Sequence, residues 1–383
     1  MPRTVKRLAD NSTVSVTWSI LPTQFGGAID SESKLERRRN LDRPVHASVT
    51  EADRQWRIAG RSSGTRLLAA LAGYGLVVLV LSTLVTPEES KRPTARDVMD
   101  AKRAHDYLTQ ICKIGPRISG SAGMERQQNL IAEHFHKHGA KVTFQSFDAA
   151  HPQTREPVRM ANIIVSWHPE AKERVLLACH YDTRPHADRD PNPQLAARGT
   201  FLGANDGASG VALFMEMAHH MKSIEPTHGV DFVLFDGEEL VYGERDPYFL
   251  GSEHFAREYR DRPPAHRYVC GVVVDMIGGK NLKLYQEQNS LNYAPELTRS
   301  IWDTAKQLGV KEFIPRLKHE VRDDHLPLNE IARIPSCDVI DFDYPHWHTT
   351  RDIPSNCSGD SLAKVGRVLL TWLQAVPQPS QRK

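Results

Sequence analysis

This sequence predicts a single α/β domain with a central mixed, largely parallel sheet flanked by helices, preceded by a transmembrane helix and a disordered tail. Three observations predict it. Short apolar runs alternate with longer amphipathic stretches from residue 90 to residue 376, the pattern of strands and helices taken in turn. Strands separated by helices pair mostly in parallel and have both faces covered. No internal repeat or low-complexity linker interrupts the region, so one domain is the simplest division.

The chain has 383 residues, and 49 Lys and Arg against 47 Asp and Glu leave a net charge of +2. That composition excludes a wholly disordered, collagenous or coiled-coil chain, and nothing in it calls for a nucleic-acid partner. The balance is uneven: residues 1–66 hold 12 basic and 7 acidic side chains. They include Arg37-Arg38-Arg39 and have no sustained apolar period, which reads as a disordered basic cytoplasmic tail. Residues 67–86 form a transmembrane segment, because Leu67 to Val85 carries no charge over about the length that crosses a bilayer as a helix. Arg54, Arg57, Arg61 and Arg66 precede it and Glu88 and Glu89 follow. The positive-inside rule therefore places the domain at 90–376 on the extracytoplasmic side of a single-pass membrane protein. A buried core helix and a cleaved signal peptide are the alternatives. The all-round apolarity opposes the first, and the long leader without a small-x-small site opposes the second. Five well-separated cysteines without a CxxC pair exclude a zinc ribbon or a disulfide scaffold and leave room for one or two bridges.

Helical spacing predicts helices over Ala101–Ile114 and Gly123–Gly139, the second closed by its terminal glycine. Strands are expected at Ala161–Trp167, Val175–Cys179, Val230–Phe235, Val269–Val274, Leu282–Tyr285 and Cys337–Phe342. Helices are expected at Ala208–Met221, Ser252–Tyr259, Pro295–Leu308 and Leu362–Leu373. The ends of the strands carry the chemistry. Val175–Cys179 runs into His180-Tyr181-Asp182, Val230–Phe235 into Asp236-Gly237-Glu238-Glu239, and Val269–Val274 into Asp275. Ligands of open α/β sheets bind at the carboxyl ends of strands, and any one of these acids alone would pass for a helix cap or a surface turn. Three in one sheet, with Asp206 in Gly203–Gly210 and His348 near the end, point to one site.

Its inventory of His, Asp and Glu without Cys suits a catalytic zinc that keeps a position open. Adjacent Glu238 and Glu239 point to opposite sides of an extended segment, so one can bind metal while the other faces substrate. Asp182, two residues past His180, is placed to orient that ring.

The motifs HYD, GANDGASG, FDGEE, DMIG and WHT, in this order, resemble the M28 family of zinc exopeptidases over about Asp97 to Leu373. Within that family, GPRISGSAG at Gly115–Gly123, ACHYD, Gly251–Ala256, Asp323-Asp324-His325 and Trp347-His348-Thr349 resemble the glutaminyl cyclase branch. The resemblance implies a zinc-exopeptidase-like fold and one Zn2+ on Asp206, Glu239 and His348. It further implies Glu238 as general acid/base, Asp275 and Asp323 as supporting carboxylates, and a substrate pocket with Trp347, Tyr344 and His325. The implied reaction turns the N-terminal glutamine of a peptide or protein into pyroglutamate and releases ammonia. Burial beside Asp275 and Asp323 would raise the pKa of Glu238 for that work.

Three departures accompany the resemblance. Tyr242-Gly243-Glu244 stands where many animal cyclases have a Trp, and Asp338 stands where they have a His. Cys179 has no cysteine within Ser209–Ala212 to pair with. Two rival readings share the fold. A two-zinc aminopeptidase would add His180 and Asp275, with Asp182 behind, as second-metal ligands, and a non-catalytic membrane-anchored module would have lost ligands that are all present here. The oligomeric state is not legible. His186, His219-His220 and Glu216 read as surface groups, Trp302 and Trp372 as core, and Arg184–Arg198 as a solvated loop or a rim of the pocket.

Overall fold

The structure is a computed structural model and describes residues 99–224 and 226–376. The predicted tail and the predicted span at 67–86 lie outside the described residues. Among the described residues no helix is long and apolar enough to cross a membrane.

Among the described residues eight strands lie in chain order: β1 (Lys141–Ala150), β2 (Pro157–Trp167), β3 (Glu173–His180), β4 (Gly229–Phe235), β5 (Arg267–Asp275), β6 (Leu284–Gln286), β7 (Phe313–Leu317) and β8 (Ser336–Ile340). Six of them form one mixed sheet in the order β1-β2-β4-β3-β5-β8, while β6 and β7 pair separately. β3 is parallel to β4 on one side and to β5 on the other, and β5 is parallel to β8. Their carboxyl ends therefore share one rim. The β1–β2 and β2–β4 pairings are antiparallel.

Alternate side chains of the central strands enter two cores, which is why these strands read as unbroken apolar runs. Val175, Leu177, Cys179, Phe232, Leu234, Val272 and Val274 enter the larger core. It is covered by α1 (Ala101–Cys112), α2 (Ala122–Lys137), α4 (Ala208–Met217), α7 (Pro295–Gln307) and α9 (Gly359–Leu373). Leu176, Ala178, Val233, Phe235 and Val273 enter the other core, under α5 (Leu250–Asp261) and α8 (His325–Glu330). The short helices α3 (Pro193–Arg198) and α6 (Gln288–Tyr293) complete the set. Trp302 and Trp372 are buried in the larger core, as expected. All five cysteines are buried free thiols, so the bridges left open by the sequence do not form.

Five local expectations are corrected. The helix expected to reach Met221 ends at Met217, and the chain tightens into i→i+3 turns, His219 N–H to Glu216 and His220 N–H to Met217. The edge strand β1, the Pro-containing β7 and the six-residue α8 had no expected counterpart. The strand expected over Cys337–Phe342 ends at Ile340.

Glu216, read as a surface group, is fully buried on α4. Its carboxylate accepts from Arg103 Nε (2.6 Å), Arg103 Nη2 (2.7 Å) and the Asp100 N–H (2.9 Å), tying the start of α1 to α4. Burial alone would raise its pKa, but His220, Arg103 and the Asp100 amide outweigh burial and lower it. A lowered acid pKa contributes stability above the ordinary value and loses it as the pH falls through the lowered one. Glu216→Gln is expected to cost about 2 kcal/mol at neutral pH. In urea unfolding across pH, that difference should shrink once the pH drops below about 4.5, the ordinary glutamate value. A pH-independent difference would contradict the ionic role.

Candidate metal centre

The site follows from the rim. β3 delivers His180 and then Asp182, β4 turns into Glu238 and Glu239, and β5 ends on Asp275. Asp206 lies in the connection that opens α4, and the next residue explains the glycine there. Gly207 has φ +94°, and a Cβ would sit 2.5 Å from the Asp182 carbonyl oxygen. Only glycine lets the chain turn so tightly between a rim ligand and a helix. His348, the candidate ligand supplied from a loop, is held at φ 55° without being glycine. Such strain persists where the surroundings over-determine it, commonly at functional sites.

Asp206, Glu239 and His348 converge as the resemblance implied. One ligand atom from each lies within 4.8 Å of the other two. His348 Nε2 is 3.3 Å from Glu239 Oε1 and 3.5 Å from Asp206 Oδ2. Asp206 Oδ2 and Glu239 Oε2 are buried and accept no hydrogen bond, a costly state for carboxylate oxygens unless a cation completes them. Burial, then the charge of Glu239, pushes Asp206 up to about 6. Glu239 goes the other way, since His348 and then Arg184 overcome burial and draw it down to about 2. The donor set fits a divalent metal with borderline preferences, and zinc above all.

The supports of this triad were only partly legible. Asp182 is fully buried, and its two oxygens accept the N–H groups of Glu238 (3.2 Å) and Glu239 (2.9 Å). Its Oδ1 is also 3.5 Å from His180 Nδ1, the contact expected of it. Asp352 does the same for the Asp206 loop, accepting from the N–H groups of Asn205 (2.9 Å) and Asp206 (3.1 Å). The Arg184–Arg198 segment, read mainly as solvated, contributes directly. Arg184 Nη1 donates to Glu239 Oε1 at 3.0 Å, and its Nε donates to Asp188 Oδ1 at 2.9 Å. Asp188 Oδ1 in turn lies 3.2 Å from His348 Nδ1, so a carboxylate backs the metal-facing imidazole.

His180 Nε2 is 3.2 Å from both Asp206 Oδ1 and Asp275 Oδ1. This second grouping, His180 with Asp206 and Asp275, could also hold an ion. Burial opposes charge on that ring, but Asp182, Asp206 and Asp275 prevail and raise its pKa well above 6.5.

A cavity of about 630 Å³ opens over the triad, large enough for a short peptide terminus. Glu238, Asp275, Asp323, Trp347 and Tyr248 line it together with the metal-facing side chains. Arg189 lies 3.9 Å above the Trp347 ring, which fixes the aromatic wall. Burial, then the charges of Glu239, Asp323 and Asp324, raises Glu238 well above the ordinary range. The direction matches the expectation, but the cause differs in part. Asp324 joins Asp323 beside Glu238, whereas Asp275 faces His180 and accepts from the Met276 N–H at 2.7 Å.

Two expected pocket residues do not line the cavity. Tyr344 is buried with its hydroxyl donating to Asp352 Oδ1 at 2.9 Å, so it braces the Asp206 loop. His325 is fully buried at the start of α8 with Nε2 3.3 Å from Glu287 Oε1. Asp338, standing where a His was expected, is also fully buried. Burial and then Asp323, Glu287 and Asp275 push its carboxyl well up, which favours the neutral form there.

Comparison with known proteins agrees with this geometry. The chain is 44% identical to the solved glutaminyl cyclase of Fimbriiglobus ruber (TM-score 0.70), over 72% of this chain and 95% of that one. It is 30% identical to a solved Zn-dependent exopeptidase from Parabacteroides distasonis (TM-score 0.67), over 72% and 98%. A glutaminyl-peptide cyclotransferase-like protein of Bos taurus is 24% identical over 260 residues, 61% of this chain. This chain spans 65% of the length of that relative. Residues 162–373 match the model of peptidase family M28, and the family and its zinc-dependent neighbours point to zinc as the metal. With the match covering more than half its length, this chain belongs to peptidase family M28.

Proposed function

We propose that this chain is a zinc-dependent glutaminyl-peptide cyclotransferase that converts an N-terminal glutamine to pyroglutamate and releases ammonia. The observation that carries the reading is Glu238, a carboxyl raised by burial and by neighbouring acids, in the wall of a cavity beside Asp206, Glu239 and His348. The likeness to solved glutaminyl cyclases supports it.

One zinc on Asp206, Glu239 and His348 would polarise the γ-carboxamide of the substrate and stabilise negative charge on its oxygen. The protein's own part is proton management. The α-amine of the substrate attacks its γ-carbonyl carbon, a C–N bond forms, and the bond to the amide nitrogen breaks. Glu238 accepts the proton from the attacking amine and returns it to the departing nitrogen, which leaves as ammonia. A carboxyl with a raised pKa serves both halves of that transfer. Because nucleophile and electrophile belong to one residue, proximity is supplied by the substrate, and the walls need only orient it. Trp347, clamped by Arg189, supplies an apolar face against the glutamine side chain. No water takes part, so none needs activating.

The second reading is an aminopeptidase with two metals, favoured by one observation, the His180–Asp206–Asp275 grouping. Against it, an imidazolium at His180 would supply the positive charge that a second ion would bring to these carboxylates. Product analysis separates the readings. The cyclase reading expects ammonia and pyroglutamyl-peptide from Gln-peptides and no amino acid from Leu-peptides. Free leucine without ammonia would overturn it. We also infer that residues 67–86 anchor this enzyme with its catalytic domain on the extracytoplasmic side. That inference rests on the length, apolarity and flanking charges of the segment.

A further inference from the structure

On the α2 side of the molecule, away from the cleft motifs, three imidazoles converge in a way the cyclase chemistry does not use. His134 and His138 are four residues apart at the end of α2, which places both on one helix face. His219 follows α4 by two residues and comes against the same face. The ring centroids of His138 lie 4.6 Å from His134 and 4.3 Å from His219, and His134 and His219 are 6.0 Å apart. One nitrogen from each ring lies within 4.8 Å of the other two; His134 and His138 are half-buried and His219 is more exposed.

We propose that His134, His138 and His219 form a second divalent transition-metal site, a three-imidazole clip for zinc or a similar borderline cation that joins α2 to the end of α4. The far sides of two rings are already fixed. His134 Nε2 is 2.8 Å from the Met215 carbonyl oxygen, which can only accept, so Nε2 carries the proton and the Nδ1 lone pair stays available. His219 Nε2 is 2.8 Å from the Tyr107 hydroxyl. This is the arrangement of metal-binding imidazoles, whose second nitrogen is held by an oxygen partner. Among the described residues the His138 side chain makes ring contacts and no hydrogen bond, so a ligand costs it none.

Burial is the first cause that lowers the pKa of all three rings, and the neighbouring rings and basic side chains add to it. Neutral imidazole is the ligating form. Arg103, Lys137 and Lys222 oppose a cation here, and the carboxylate of Glu216 favours one at both His138 and His219. Three neutral imidazoles with a water as fourth ligand match the preference of zinc and cobalt for nitrogen donors in a tetrahedral set. Packing alone would not need three nitrogens to meet. The consequence is mechanical, because α4 begins at Ala208, two residues past Asp206. A clip at its far end steadies the helix behind that ligand.

The test is titration of the zinc-loaded protein with Co2+, read by the visible bands of tetrahedral cobalt and by the melting temperature. One further equivalent should bind saturably, with a rise in melting temperature that follows its occupancy. His138→Gln, at the partly exposed end of α2, should lose both responses and keep the wild-type turnover on Gln-peptides. His219→Gln should do the same, so the result does not hang on one variant. His348→Ala, which removes a ligand of the cleft, should leave the response intact. Weak unsaturable binding to the wild type, or equal saturable binding by both His→Gln variants, would overturn the proposal.

Discussion

Glu238→Gln is expected to lower turnover of Gln-peptides by about 10²–10⁴-fold, the usual worth of a general acid/base. Gln has the size of Glu but can neither take the proton from the substrate amine nor give it to the leaving nitrogen. Zinc content should not change, because Glu238 lies outside the Asp206–Glu239–His348 grouping. The stability effect has a sign that separates this role from a structural one. The ionised form of Glu238 is opposed by burial and by Glu239, Asp323 and Asp324, so its ionisation costs folding free energy wherever the unfolded chain would be charged. Removing the charge should leave the melting temperature unchanged or raise it. Near-normal turnover, or loss of turnover together with loss of zinc or fold, would refute the assigned role.

The largest stability effect is expected at the other end of the sheet. Arg174 and Asp231, on β3 and β4, are each 1% exposed. Two donors of Arg174, Nη2 and Nε, meet the carboxylate at 2.6 and 2.8 Å. Arg174 Nη2 also reaches the carbonyls of Trp167 and Val230, Nη1 reaches that of His168, and the Tyr268 hydroxyl donates to Asp231 at 2.6 Å. Such a pair is weak evidence for net stability, but removing one member strands the other. Arg174→Met should therefore cost about 3–5 kcal/mol in urea unfolding, and about 10 °C in melting temperature for a domain of this size. The double variant Arg174→Met/Asp231→Leu should regain much of that loss, because no charge is left buried alone. A single-variant cost below about 1 kcal/mol would contradict the account. Zinc content should be unaffected, since the pair sits at the amino-terminal ends of the strands that bear the site.

Much of the centre was legible because catalysis forces rim positions to break the apolar pattern. Val175–Cys179, Val230–Phe235 and Val269–Val274 are central strands buried on both faces, so they read as uninterrupted runs and their polar ends stand out. The same physics hides β1, whose edge position leaves most of Lys141–Ala150 exposed or partly so. It also hides β7, where Pro315 interrupts a short strand. The proposed metal ligands carry short motifs, but their supports do not. Arg184 and Asp188 have the composition of a solvated loop, and only the long-range approach of Glu239 and His348 gives them work. Glu216 was misjudged for a related reason: its partner Arg103 lies 113 residues earlier, on a different helix. The resemblance implies Tyr344 and His325 in the pocket, yet the backbone turns each of them inward, toward Asp352 and Glu287.

The location of zinc in crystals of the protein tests the central claim most directly, through anomalous scattering at the zinc edge. The account predicts a single peak in the cleft, bounded by Asp206, Glu239 and His348. A second cleft peak between His180 and Asp275, or a cleft with no peak in zinc-loaded crystals, would contradict it.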